Sequence, residues 1–213
     1  MSEHIKTEAL DGVLTLRLDR LDKYNALTNT MYMALTEAIN AANADESVQV
    51  VVITGGPSCF TAGNDLQDFL QSPPQYLDAP AFRFMRAVVD FEKPLIAAVA
   101  RPAIGIGSTL LPHCVLVYVT RNAKLSMPFV SLSLCHEFAA SLTIPAAVGQ
   151  ARANALLLAG ESIDGETAAT WGLANAAFDD GEACLAAAYA QAKKLAKQPE
   201  TSLRLSKQLI KAP

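Results

Sequence analysis

The sequence predicts an α/β domain built from parallel strands joined by helical crossovers, and three observations carry that prediction. Three runs rich in β-branched residues, "VQVVVITGG" (48–56), "PLIAAVA" (94–100) and "VLVYVT" (115–120), read as strands buried on both faces. Stretches with apolar residues at helical spacing fall between and after them, the alternation that parallel crossover units produce. No Gly/Ser-rich or Pro-rich linker interrupts the 213 residues, so the chain reads as one globular unit.

Each element follows from local chemistry. "HIKTEAL" and "VLTLRLD" flank Asp11-Gly12, a two-residue hairpin signal, so the chain opens with paired strands. Thr28 is placed to cap a helix running to about Ala44, with Met31, Leu35, Ala38 and Ile39 on its apolar face. The segment "QSPPQYLDAP" (71–80) is the most loop-like and is expected to act as a mobile lid. Pro102 to Thr120 contains no Lys, Arg, Asp or Glu, yet Gly105, Pro112 and His113 would leave polar groups in lipid. That stretch predicts a buried helix followed by a strand. Beyond residue 137 the pattern is helical, ending in an Ala/Lys-rich stretch over 181–197, with "ANAAF" (174–178) as a short strand.

Composition excludes several classes. Seventeen basic against twenty-one acidic residues leave no basic stripe for a phosphate backbone and no cluster for an anionic membrane, so neither nucleic acid nor membrane is an expected partner. The 51% apolar and 18% charged fractions point to surface buried between copies of the chain, hence a homo-oligomer. The four cysteines are widely spaced with no CxxC pair and no histidine in ligand register, so neither a metal site nor a disulfide framework is implied. The polar, acidic start "MSEHIKTEALDG" lacks the features of a signal peptide, and a cytoplasmic location is expected.

Two turns bear on function. "PSCFTAGNDL" (57–66) and "RPAIGIGSTLL" (101–111) each follow a buried strand and place glycines before a helix start, which leaves backbone N–H groups directed outward. Either they hold an anion, or Gly63, Gly105 and Gly107 simply permit tight turns and close packing. Neither turn matches a dinucleotide fingerprint or a P-loop. Further on, Glu137 is the one charged residue among the twenty-seven that separate Lys124 from Arg152.

"DKYNALT" (22–28), "VVVITGGPSCFTAGNDL" (50–66), "KPLIAAVARPAIGIGSTLL" (93–111) and "AGESIDGETAATWGLAN" (159–175) together resemble, in order and over nearly the whole chain, the crotonase superfamily of enoyl-CoA hydratases and isomerases. The resemblance implies a spiral of ββα units (1–136) followed by a mostly helical part (137–213) in one crotonase-like domain, assembled as trimers or hexamers and acting in lipid metabolism. It implies an acyl-CoA substrate, coenzyme A being part of the thioester and no separate cofactor being required. It also implies an oxyanion hole made by the backbone N–H groups of Asn64, after Gly63, and Ile106, after Gly105. The resemblance carries coenzyme A contacts onto Lys23, Ala26, Leu27, Ala62, Asp65 and Leu66; Lys23 is equally readable as a solvated surface lysine. Asp65 also fits a helix cap.

The reaction is narrowed by what is missing. Hydratases of this superfamily use two glutamates, whose positions here are Thr109 and Phe129. Without a pair of carboxylates to activate water, hydration is disfavoured. "MPFVSLSLCHEFAAS" (127–141) is similar instead to the Δ3,Δ2-enoyl-CoA isomerases of peroxisomal type, in which a single Glu stands eight residues after the Phe of a "PF" dipeptide, as Glu137 does after Phe129. By that likeness Glu137 moves a proton from C2 to C4. A pocket of Phe129, Leu132, Leu134 and Phe138 is expected to desolvate it and raise its pKa. The alternative is a carboxylate in the first turn of a helix "EFAASLTIPAAVG", facing the helix dipole. His113 reads as a hydrogen-bonded core residue and His136 as a weak candidate for a second acid or base. A thioester hydrolase or dehalogenase would need a nucleophile or water-activating pair not found here, whereas a non-catalytic acyl-CoA-binding protein would keep both turns.

Overall fold

The computed structural model describes residues 2–74 and 76–211 and contains two sheets. Strands β1 (Ile5–Leu10) and β2 (Val13–Leu18) form the opening hairpin, with Asp11 and Gly12 both at positive φ (51° and 77°), as a two-residue primed turn requires. From β2 onward the larger sheet is parallel, in the order β1-β2-β3-β4-β6-β9, with β3 at Val50–Thr54, β4 at Leu95–Val99, β6 at Leu116–Thr120 and β9 at Ala176–Phe178. The mixed α/β fold expected from the alternating pattern is present.

β3 and β4 are buried throughout because both faces are covered. Val50, Val52, Ile96 and Ala98 pack against α8 (Gly181–Leu195), whose Cys184, Ala188 and Ala192 recur every four residues and let the helix lie close to the sheet. The opposite side chains, Val51, Ile53, Leu95, Ala97 and Val99, enter the main core with α1 (Asn29–Ala44) and α3 (Pro80–Asp90). The Thr28 hydroxyl caps α1 by accepting from Met31 N at 3.3 Å. Between α2 (Leu66–Gln71) and α3 the chain has no regular secondary structure among its described residues; the lid expected at 71–80 includes Gln75, which lies outside them.

The smaller sheet, β5 (Pro102–Ile104), β7 (Lys124–Ser126) and β8 (Ser162–Asp164), is a finding of the structure, since each strand is three residues long. Thr61 extends it through a bridge to Ala103. The chain therefore spirals: a strand in the large sheet, a short step in the small one, then a helix, repeated as β3–Thr61–α2, β4–β5–α4 (Ile106–Thr109) and β6–β7. Residues 137–211 add five helices and also β8 and β9, one strand to each sheet. Within the stretch 102–120 the helix is only one turn, α4, continued by a 3₁₀ turn at Leu111–His113. Among the described residues no helix is long and apolar enough to cross a membrane.

Candidate active site

The spiral brings the two glycine turns side by side. Thr61 pairs with Ala103, so residues three positions further on, Asn64 and Ile106, follow neighbouring strand segments in matching register. Thr61 N donates to Pro102 O at 2.9 Å and Ile104 N to Thr61 O at 3.1 Å, fixing that register. Gly63 (φ 88°) and Gly105 (φ 56°) turn the chain sharply just before each donor. Among the described residues neither Asn64 N–H nor Ile106 N–H has an acceptor within the chain, although the neighbouring Asp65 N–H, Ser108 N–H and Thr109 N–H are all bonded. Ile106 opens α4, where the N–H lacks an intrahelical partner. Both residues line a cavity of about 510 Å³ whose walls also include Leu66, Phe69, Phe129 and Leu134.

Glu137 is not among the described residues that line this cavity; it is bonded to Thr109, the last residue of the helix whose first residue, Ile106, lines it. Glu137 Oε1 accepts from Thr109 Oγ1 at 2.7 Å, and its Oε2 is buried with no hydrogen-bond partner among the described residues. Desolvation raises its pKa to about 7, opposed by the Thr109 hydrogen bond. Two details differ from the sequence expectation. Helix α5 (Ala140–Val148) starts three residues after Glu137, because Phe138 and Ala139 adopt left-handed φ values of 56° and 54°; the carboxylate is therefore not in a first helical turn, and the dipole alternative lapses. Leu132 and Leu134, expected to line a dry pocket around Glu137, are 51% and 40% exposed and line the cavity, which Glu137 does not. The side chain bonded to Glu137, Thr109, is fully buried, and the residue after Glu137, Phe138, is 6% exposed.

Several residues that hold the site carry no local sequence signal. Tyr32 on α1 donates its phenol to the Asn64 side-chain oxygen, and its pKa is raised well above the ordinary value, first by burial and then by the charges of Glu137 and Asp68. Tyr32 thus links the first turn to the region of Glu137. Arg20 donates to Asp65 Oδ2 at 2.7 Å and to Ala26 O at 2.9 Å. Asp65 caps α2 through Gln67 N and Asp68 N, as its sequence position suggested; the Arg20 bond first, then these amides, hold its carboxyl below the usual range. Buried Asn25 accepts from Arg20 N and donates to Cys59 O, tying the same loop from behind.

The residues considered for coenzyme A are gathered on this one loop cluster. The N–H groups of Ala26, Leu27, Ala62 and Asp65 are bonded to Lys23 O, Gly63 O, Tyr24 O and Leu27 O, so they offer a ligand carbonyl oxygens and surface but no N–H donors. Leu27 itself is a core residue. Lys23 is exposed, and Leu66 forms part of the cavity wall. His113 is buried, and its Nε2 lies 2.8 Å from Phe138 O with its ring stacked on Phe138 at 4.1 Å. His136 is half-buried, two residues before the left-handed Phe138. The four cysteines are unpaired, and among the described residues no cluster of His, Cys, Asp or Glu could hold a metal.

Comparison with known proteins agrees with this geometry. The family model for enoyl-CoA hydratase/isomerase matches residues 8–213. The chain is 33% identical over 208 residues to enoyl-CoA delta isomerase 2 of Homo sapiens, covering 94% of this chain and 52% of that protein. It is 33% identical over 217 residues to 1,2-epoxyphenylacetyl-CoA isomerase of Escherichia coli strain K12, covering 99% of this chain and 82% of the relative. The solved structure of Pseudomonas aeruginosa OdaA superposes with a TM-score of 0.97 at 53% identity, covering 100% of this chain and 86% of that one. The chain spans about half the length of the first curated relatives it matches. With the fold, the paired turns and the family match in agreement, the chain belongs to the enoyl-CoA hydratase/isomerase family.

Proposed function

We propose that the protein is a Δ3,Δ2-enoyl-CoA isomerase. The observation that carries this reading is Glu137: a buried carboxyl with a pKa of about 7, bonded through one oxygen to the last residue of α4, the helix that opens with the Ile106 N–H, while among the described residues its other oxygen has no partner and the Asn64 and Ile106 N–H groups have no acceptor. A 3-enoyl-CoA would place its thioester oxygen at the Asn64 and Ile106 amides. Glu137 would take a proton from C2, the electron pair would move to the thioester oxygen as an enolate, and the carboxylic acid would return the proton to C4. A pKa near neutrality suits a base that must also serve as the acid. The two amides stabilise the enolate, each contributing roughly 2.7 to 4 kcal/mol. The partner carboxylate that hydration needs has no counterpart, since Thr109 and Phe129 occupy the corresponding positions.

The remaining readings belong to the same proposal. The acyl chain lies along the apolar cavity, the coenzyme A moiety passes the loops of Lys23, Ala26 and Ala62, and no separate cofactor or metal takes part. The chain forms trimers or hexamers that cover exposed side chains such as Leu142 and Leu158. Free cysteines suit the reducing cytoplasm, and the reaction serves β-oxidation of unsaturated acyl-CoAs. The test is conversion of 3-hexenoyl-CoA to its conjugated 2-enoyl isomer, followed by absorbance, with wild type and Glu137→Gln. A loss of about 10² to 10⁴ in kcat is expected for the variant. Equal rates would end the mechanism; hydration of crotonyl-CoA by the wild type would favour a hydratase; tight binding with no turnover would favour a binding protein.

A further inference from the structure

Two side chains on one helical segment grip the loop that carries Glu137. Thr109 ends α4 and His113, four positions on, ends the 3₁₀ turn that continues it, and both reach the segment Glu137–Phe138. Thr109, fully buried, donates to Glu137 Oε1; among the described residues its one other acceptor, Gly105 O, is at 3.4 Å, and a hydroxyl has one hydrogen to give. His113 holds the next carbonyl. Phe138 O can only accept, so Nε2 carries the proton, and burial, the first cause, keeps the His113 pKa below its ordinary value and the ring neutral. Between these two grips the backbone passes into the left-handed region at Phe138 and Ala139, a conformation costly for side chains of this kind and sustained only by surrounding contacts.

The geometry points to Thr109 as the positioning residue that selects which oxygen of Glu137 moves the proton, with His113 fixing the loop from which that carboxyl extends. This rests on Glu137 being the base. While Thr109 donates to Oε1, a proton placed on that oxygen would compete with the bond, whereas Oε2 has no partner to lose. Oε2 therefore takes the proton from C2 and delivers it to C4, and the Thr109 bond persists in both protonation states. Because the same bond favours the carboxylate, it also holds the Glu137 pKa down against burial; Tyr32, the titratable group facing it from α1, is itself pushed up by burial and by the Glu137 charge and stays neutral.

The test compares wild type, Thr109→Val, Thr109→Ser and Glu137→Gln by pH profiles of kcat and kcat/KM on 3-hexenoyl-CoA. Val keeps the shape and removes the donor. Thr109→Val is expected to move the acid limb of kcat/KM up by about one pH unit and to lower kcat about ten-fold, with KM within about two-fold. Thr109→Ser, which keeps the hydroxyl, restores the midpoint and most of kcat. If Thr109→Val does not fold, Thr109→Ala, smaller than the native side chain, carries the same readout. An unmoved midpoint with unchanged kcat in the donorless variant overturns the inference, as does an equal loss in Val and Ser. Glu137→Gln separates the levels: a dead Gln variant with an indifferent Val variant removes only the role of Thr109, whereas an active Gln variant removes the base itself.

Discussion

Gly63→Ala isolates the oxyanion hole from the rest of the site. At φ 88° an alanine there is strained by roughly 1 to 2 kcal/mol before any contact is counted. Its Cβ would lie 2.7 Å from Ile104 O and 3.3 Å from Ile104 C, short of the 3.4 Å of ordinary contact by about 0.7 Å at the oxygen. Both partners are backbone, so relief requires moving one turn relative to the other. The two turns carry the Asn64 and Ile106 donors, and a misplacement approaching 1 Å costs about 10² in rate where alignment matters. With one donor effectively lost, kcat/KM for 3-hexenoyl-CoA isomerisation should fall about 10² to 10³, mainly in kcat. Gly56→Ala is the control: it has a similar φ of 81°, but its Cβ meets nothing within 4 Å, so it should lose about 1 to 2 kcal/mol of stability and keep its activity. Thermal unfolding of both variants separates strain from catalysis. A folded Gly63→Ala protein turning over within about three-fold of wild type would refute the assignment of these amides.

Two further outcomes follow from the same contacts. Glu137→Gln should stabilise the protein at pH 8 while abolishing isomerisation. The native carboxyl has a pKa raised from 4.5 to about 7, so its contribution to stability is full below pH 4.5 and is lost as pH rises through 7; the relief should reach at most about 3 kcal/mol, read by urea unfolding at pH 4.5 and pH 8. Asp65→Ala loses both the α2 cap and the Arg20 partner, whereas Asp65→Asn keeps a capping oxygen, so Ala should be less stable than Asn by about 1 kcal/mol, with equal melting temperatures arguing against the cap.

The parts of the fold legible in the sequence were those encoded locally. Asp11-Gly12 specifies a primed turn, Thr28 a cap, and the runs at 48–56 and 94–100 strands covered on both faces, and these appear where the residues place them, whereas the third run, β6, leaves Leu116 and Tyr118 half-buried. The small sheet escaped because "PAI", "KLS" and "SID" are too short to show a period, and one begins with proline; they are strands only because the spiral lays them side by side. The start of α5 was misplaced for a similar reason. Left-handed Phe138 and Ala139 have no signature in their side chains, and it is the His113 contact from 25 residues earlier that accompanies the turn. Arg20 with Asp65, Tyr32 with Asn64 and Thr109 with Glu137 are separated by 45, 32 and 28 positions, distances over which no periodicity speaks.

What residue 109 contributes follows from the charge it does not bring. A carboxylate there, within hydrogen-bond reach of Glu137, would form a like-charge pair in a dry site, and one of the two would be driven to hold a proton. Such a dyad can grip a water between its members, the arrangement hydration uses. Thr109 offers a hydrogen instead of a second charge, so Glu137 keeps one fixed oxygen and one unpartnered one at a pKa of about 7. On the proposed mechanism α4 then has two ends with two tasks: its first residue, Ile106, would present an N–H to developing negative charge, and its last, Thr109, would aim the group that creates that charge. Because one turn of helix separates them, the donor and the base cannot drift apart without unwinding α4. On the proposed mechanism, that coupling lets a single carboxyl collect and return a proton across three carbons while the enolate stays in place.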